Sequence, residues 1–184
     1  GDITMANKKE EGTTILVPEL VDYCNLRCAL CWNRLRMGSF RQMSLKTVDK
    51  VLLRYGNVSS QTISWFNWGE PLLHREFEIF AGMVKGTRSA ISSNFSLRIT
   101  DARMESLQNF RTIYVSMSGI TPELYQLYNV GGDLSLVMSN LKRLSALKCR
   151  RVIIRWESHR YNAHQQAKAK DMAEGFGFGF EPIL

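Results

Sequence analysis

Strand-forming runs and amphipathic helices alternate six times along this chain, and that order leaves few folds open. A β-rich run, TTILVPELVDY (13–23), comes first. Leu45, Val48, Leu52 and Tyr55 then recur at helical spacing, with Ser44 placed to cap that helix and Gly56 to end it. QTISWFNWGEP (61–71) reads as a buried strand entering a Gly/Pro turn, REFEIFAGMVKG (75–86) as a helix, and SAISSN (89–94) as a short strand. TDARMESLQNF (100–110) starts as a capped helix. TIYVSMSG (112–119) is a strand, and TPELYQLY (121–128) opens a helix with Thr121 as cap and Pro122 at its first position. Leu134, Val137, Met138, Leu141, Leu144 and Leu147 form one apolar stripe. The strand RRVIIRW (150–156), the helix AHQQAKAKDMAEG (163–175) and the strand FGFEPIL (178–184) complete the series. Such alternation implies parallel strands joined by right-handed crossovers, and apolar rather than alternating strands imply a sheet covered by helices. The expected class is α/β, a partial (β/α)6 TIM-like barrel.

The 184 residues suffice for one domain with a core. Residues 1–12 are expected to be a disordered or cloning-derived tail. Residues 13–184 are expected to be one core domain, ending after the sixth strand without a C-terminal extension. No apolar run approaches the ~20 residues of a membrane span, and the start of the chain lacks the apolar region of a signal peptide. The expected location is therefore the cytoplasm, where thiols stay reduced. The net charge is +7, and Lys142, Arg143, Lys148, Arg150 and Arg151 form the densest basic region. Without interleaved aromatics it reads as a solvated helix end and loop rather than a nucleic-acid groove.

Three of the four cysteines, Cys24, Cys28 and Cys31, crowd into DYCNLRCALCWN with C-x3-C-x2-C spacing. An odd count in a reducing compartment argues against disulfides. Structural zinc takes four ligands, commonly from two separated pairs, and no second pair exists. Iron–sulfur cubanes take thiolates, and three of them leave one iron open for chemistry. By spacing alone, another metal or a chance crowding of thiols stays open. Parallel α/β folds put their sites at the carboxyl ends of strands. Cys24–Cys31 follow the first predicted strand, Gly69–Pro71 the second, and Ser93 and Asn94 end the third. Ser116 ends the fourth and Arg155 nears the end of the fifth, so all five sets open on one face. Cys149 reads as a small buried apolar residue.

CNLRCALC resembles the cluster loop of radical S-adenosylmethionine (radical SAM) enzymes, with Leu30 where an aromatic is usual and Trp32 just beyond. WFNWGEPLLH resembles the family's Gly-Gly-Glu-Pro turn, with Trp68 in place of the first glycine. ISSNFSL and IIRWESHRYNAHQ resemble the third-strand and fifth-strand segments. VSMSGITPELYQLYNVGGDLSLVMSNLKRL resembles the fourth-strand region of the SPASM-associated subgroup, but Ser118 stands where that subgroup usually has Asp, and Asn129 where it usually has Arg. The resemblance runs from Ile15 to Leu184.

The resemblance implies the radical SAM type of partial barrel. It implies a 4Fe–4S cluster on Cys24, Cys28 and Cys31, and S-adenosyl-L-methionine bound by Trp68, Gly69, Glu70, Pro71, Asn94, Ser116, Arg155 and Asn162. The implied activity is reductive cleavage of that cofactor to a 5′-deoxyadenosyl radical, which takes hydrogen from a substrate, a peptide or protein side chain or another small molecule. An external donor, flavodoxin-like or ferredoxin-like, supplies the electron. A C-terminal extension or partner chain is expected to cover the open barrel beside Phe176, Phe178, Phe180 and Ile183. Two alternatives stand beside this reading. One is a non-catalytic cluster-binding subunit or partner-dependent fragment, favoured by the charges lost at Ser118 and Asn129. The other is a nucleic-acid-modifying enzyme, supported by net charge alone.

Overall fold

The computed structural model of the protein describes residues 14–35, 40–56 and 61–183. Six strands, β1 (Thr14–Leu16), β2 (Gln61–Ser64), β3 (Ser89–Ser93), β4 (Thr112–Met117), β5 (Val152–Glu157) and β6 (Gly179–Ile183), form one sheet. They pair in chain order and all in parallel, with β1 and β6 at the edges, so the sheet is an open, partial barrel. The helices are α1 (Leu45–Tyr55), α2 (Phe77–Met83), α3 (Asp101–Ser106), α4 (Pro122–Tyr128), α5 (Leu134–Ser145) and α6 (Gln166–Gly175).

The caps show why the helices begin where they do. Ser44 accepts the Thr47 N–H at 3.2 Å, Thr100 that of Arg103 at 3.2 Å, and Asp133 that of Leu136 at 3.1 Å. Thr121 departs from expectation: Pro122 does take the first position, but the Thr121 hydroxyl makes no cap bond and instead meets the Gln165 amide at 3.3 Å. The β-rich run 13–23 also overreaches. Only three residues pair with β2, and the chain then turns toward the cysteines, because pairing partners rather than propensity decide strand length.

Strand residues alternate between two environments. Ile113, Val115 and Met117 of β4 and Val152, Ile154 and Trp156 of β5 belong to the buried core, together with Leu141 and Leu144 of α5 and Ala169 and Ala173 of α6. The opposite set (Tyr114, Ser116, Arg155 and Glu157) is only partly buried and stands on the face that the helices leave uncovered. Helix burial therefore fixes the sheet's register, and the register sends polar side chains to the concave side. Lys142, Lys148, Arg150 and Arg151 are exposed, as expected of a solvated region. Arg143 is not free: it reaches the Ile99 carbonyl at 2.8 Å and Asp101 at 2.6 Å.

Candidate functional site

A cavity of about 210 Å³ opens at the carboxyl ends of the strands. Cys24, Cys28 and Cys31 line it, facing Trp68, Gly69 and Glu70 from beyond β2, Ser92–Asn94 from β3, and Ser116 from β4. All three thiols are free.

Hydrogen bonds from three directions hold the cysteine loop. The Arg27 and Ala29 N–H groups donate to the Val130 and Tyr128 carbonyls at 2.9 Å each. The Glu70 N–H donates to the Tyr23 carbonyl at 2.8 Å, and the Asn25 amide to the Ser96 carbonyl at 2.7 Å. The turn after β2 is pinned in its own way. Glu19 accepts from the Trp68 and Gly69 N–H groups at 2.9 and 3.0 Å, and the Trp68 carbonyl accepts the Asn33 amide at 2.9 Å. Neither Glu19 nor Asn33 carries a sequence signal for this work, since each lies more than thirty residues from the turn it holds.

Glu70 is 2% exposed. Its two carboxylate oxygens accept the Leu72 N–H at 3.0 Å and the Asn94 N–H at 2.9 Å, which fastens the turn to β3 and caps the 3-10 turn Pro71–Leu73. Burial pushes its carboxyl up from 4.5 to about 7, outweighing the backbone donors that favour the ionised form. The folded chain thus keeps a proton that the unfolded chain releases. That contribution to stability is full below pH 4.5 and is lost as pH rises through about 7, on the order of 3 kcal/mol. Denaturant unfolding of metal-free protein between pH 5 and 8 should show this decline, and Glu70→Gln should flatten it.

The structure divides the predicted cofactor residues. Trp68, Gly69, Glu70, Asn94 and Ser116 line the cavity with the three cysteines. Pro71 is buried one step behind, as the first residue of its turn. Arg155 pairs with Ser116 in register but leans along the sheet, away from the cavity lining. Its guanidinium lies 3.8 Å from the Tyr114 ring centroid, and its Nε is 3.3 Å from Glu181, so a cation–π contact and an ion pair hold it there. Asn162 is fully buried and also outside the lining. Its amide donates to the Ser118 and Glu157 carbonyls at 2.8 and 2.7 Å, and its oxygen accepts the His159 N–H at 2.8 Å. It braces the loop after β5, and every polar atom of its side chain is engaged. Phe66 and Asn129 line the cavity as well, and Tyr128 and Glu157 do so without having been predicted there. Glu157 was legible in principle, since alternation along β5 sends it to the same side as Arg155. Burial raises its carboxyl above the ordinary value.

The donor set fits an iron–sulfur cluster. Among the described residues, no three His, Cys, Asp or Glu side chains meet around a single-ion position. Three free thiols on one loop are the donor type that an iron–sulfur cluster takes. Burial pushes Cys24 and Cys28 up to about 12 and 11, so both are protonated without metal, and loading must displace those protons. One candidate for zinc is occupied elsewhere: His74 is buried, with Nε2 2.9 Å from the Met43 carbonyl and Nδ1 accepting the Glu76 N–H. Cys149 lines a separate cavity of about 570 Å³ at the opposite end of β5 and β6, where it is the sole thiol.

The sequence profile of the Radical SAM superfamily matches residues 19–156. No curated protein matches the chain significantly. Among solved structures, SuiB of Streptococcus suis superposes with a TM-score of 0.72 at 15% identity, over 91% of this chain and 39% of that one. The structure of anSMEcpe with bound AdoMet gives 0.69 at 19% identity, over 92% and 49%. TYW1 with a lysine-pyruvate adduct bound gives 0.63 at 16% identity, over 92% and 62%. The chain spans less than two thirds of each of these proteins, and the likeness at such identities is one of fold. The profile covers most of the chain, including the cysteine loop, β2, β3 and β4 and nearly all of β5, and the chain belongs to the radical SAM superfamily.

Proposed function

We propose that this chain holds a 4Fe–4S cluster on Cys24, Cys28 and Cys31 and cleaves S-adenosyl-L-methionine there to start hydrogen abstraction from a substrate. The observation that carries the reading is convergence. Three free thiols, the Gly69–Glu70 turn, Asn94 and Ser116 come from four different strand ends into one cavity. Held by Cys24, Cys28 and Cys31, such a cluster would supply the electron for reductive cleavage of the cofactor at its sulfonium, the source of the hydrogen-abstracting species. The protein's own share is placement and exclusion of water. Glu70 fixes the turn and offers carboxylate lone pairs to an ammonium, and Glu19 and Asn33 keep that turn from yielding. Ser116 offers a polar contact to the cofactor's hydroxyl or carboxylate groups, and Asn94, whose amide is engaged by Ser96, Asn25 and Cys24, shapes the wall beside it. In this reading Arg155 acts one step back, shaping the concave face beside Ser116.

The substrate is a peptide or a small molecule lying over the polar concave face. SuiB has been solved with S-adenosylmethionine and with its precursor peptide SuiA, and shares this fold. The affinity with the SPASM-associated subgroup rests on the Val115–Leu144 segment. An external one-electron donor completes the reaction, and a further segment or partner chain is proposed against the free edge of β6. No helix among the described residues is long and apolar enough to cross a membrane. The exposed basic residues Arg150 and Arg151 lie at the opposite end of β5 from the cavity, which does not favour a nucleic-acid substrate.

Electron paramagnetic resonance of the reduced, reconstituted protein tests the binding half of the proposal. Added S-adenosylmethionine should change the spectrum, because it occupies the open iron. An unchanged spectrum at saturating cofactor would contradict it.

A further inference from the structure

Two carboxamides stand against two of the three cysteine sulfurs. The Asn129 Nδ2 lies 3.7 Å from the Cys28 sulfur, and the Asn94 Nδ2 lies 3.6 Å from the Cys24 sulfur. Both contacts are within the range of an N–H donor to sulfur. Each amide is oriented by a bond accepted at its oxygen. The Ser118 hydroxyl donates to the Asn129 Oδ1, and the Ser96 N–H donates to the Asn94 Oδ1 at 2.8 Å. With the oxygen side taken by a donor in each case, the NH2 side turns to the thiol, in Asn94 with its two hydrogens shared between Cys24 and the Asn25 Oδ1 at 3.0 Å. Asn129 is 2% exposed and Ser118 fully buried. The Leu26 N–H adds a further donor to Cys24 at 3.4 Å. Ser118 and Asn129 are the positions where the charged pair of the resembling subgroup is absent, and here they make a neutral pair that meets its own hydrogen-bonding needs.

We propose that Asn129, held by Ser118, and Asn94 act as donors to the cluster's cysteine sulfurs and raise its reduction potential. This rests on the cluster reading above. Reduction adds negative charge to the cluster and its thiolates, so a fixed N–H donor stabilises the reduced form more than the oxidised one. Low dielectric around a buried amide strengthens the effect. Asn129 is a positioning and tuning residue: it touches a ligand sulfur rather than a reacting atom.

The test is a redox titration of anaerobically reconstituted protein, monitored by electron paramagnetic resonance, with iron and sulfide counted on each sample. Asn129→Ala and Asn94→Ala should each lower the midpoint, by about tenfold in the reduction equilibrium, which is ~59 mV for a one-electron couple. Asn129→Asp, close in shape but without the donor, should lower it further. Ser118→Ala should lower it less, since the amide stays but is no longer held. Cys149→Ala should leave it in place. A wild-type midpoint in Asn129→Ala and Ser118→Ala proteins with full iron would overturn the inference. If Asn129→Ala retains no cluster, the Ser118→Ala and Asn129→Asp midpoints decide it. Failure of the wild-type chain to take up iron is a different result, and overturns the cluster reading itself.

Discussion

Cys28→Ala should strip the reconstituted protein of its iron, from about four per chain to near none. With three thiolates on one loop and no fourth thiol nearby, the loop has no spare ligand. Cys28 sits where the cysteine loop docks on the segment after α4, between the Arg27 and Ala29 backbone bonds, so its loss removes a ligand from the best-anchored part of the loop. Cys149→Ala should leave the iron count unchanged, because Cys149 lies at the far end of β5. Iron and sulfide analysis after anaerobic reconstitution reads both. Full iron in Cys28→Ala, or stoichiometric zinc with no iron in the wild type, would contradict the assignment of the three thiols.

The second large effect is expected at Gly69. A Cβ built there would lie 1.9 Å from the Val21 carbonyl oxygen and 2.7 Å from the Val21 carbonyl carbon. Those are backbone atoms, so no side-chain rotation relieves the contact, and the turn itself must move. Movement breaks the paired bonds to Glu19 and the Glu70–Tyr23 bond that ties the turn to the cysteine loop. Gly69→Ala should cost about 1–3 kcal/mol in stability. S-adenosylmethionine affinity should fall by on the order of a hundredfold, as when hydrogen bonds to charged groups are lost. Gly82→Ala in α2 is the matched comparison: nothing lies within 4 Å of its Cβ position, and alanine there should be neutral or stabilising. Denaturant unfolding and cofactor titration of the two variants measure this, and wild-type affinity in Gly69→Ala would show that the turn does not hold the cofactor.

Most of the fold was legible because its signals are local. Helical spacing, the Ser44 and Thr100 caps and the strand-helix alternation each lie within a few residues of one another, and alternation alone implies the parallel order. The cysteine loop and the β2 turn were legible as motifs, and the rule that sites open at carboxyl strand ends brought them together. What stayed hidden is tertiary. Glu19 holds a turn some fifty residues away, through a contact with no periodicity or motif to mark it. Ser118 and Asn129 read as two lost charges, and their pairing emerged only once α4 folded back beside β4. Arg155 was drawn from the cavity by Tyr114 and Glu181 on neighbouring strands, partners that its own strand does not reveal. Asn162 was consumed by the backbone of its own loop and by the Ser118 carbonyl after β4, the first a common fate for asparagine in turns.

The measurement that bears most directly on the account is release of 5′-deoxyadenosine. Reconstituted wild-type protein is incubated anaerobically with S-adenosylmethionine and dithionite, and the products are quantified by chromatography. The account predicts 5′-deoxyadenosine and methionine in equal amounts, dependent on reductant and absent from Cys28→Ala. Protein that carries about four irons and shifts its resonance spectrum with S-adenosylmethionine, yet releases no 5′-deoxyadenosine under reduction, would contradict it and establish a cluster-binding module without catalysis.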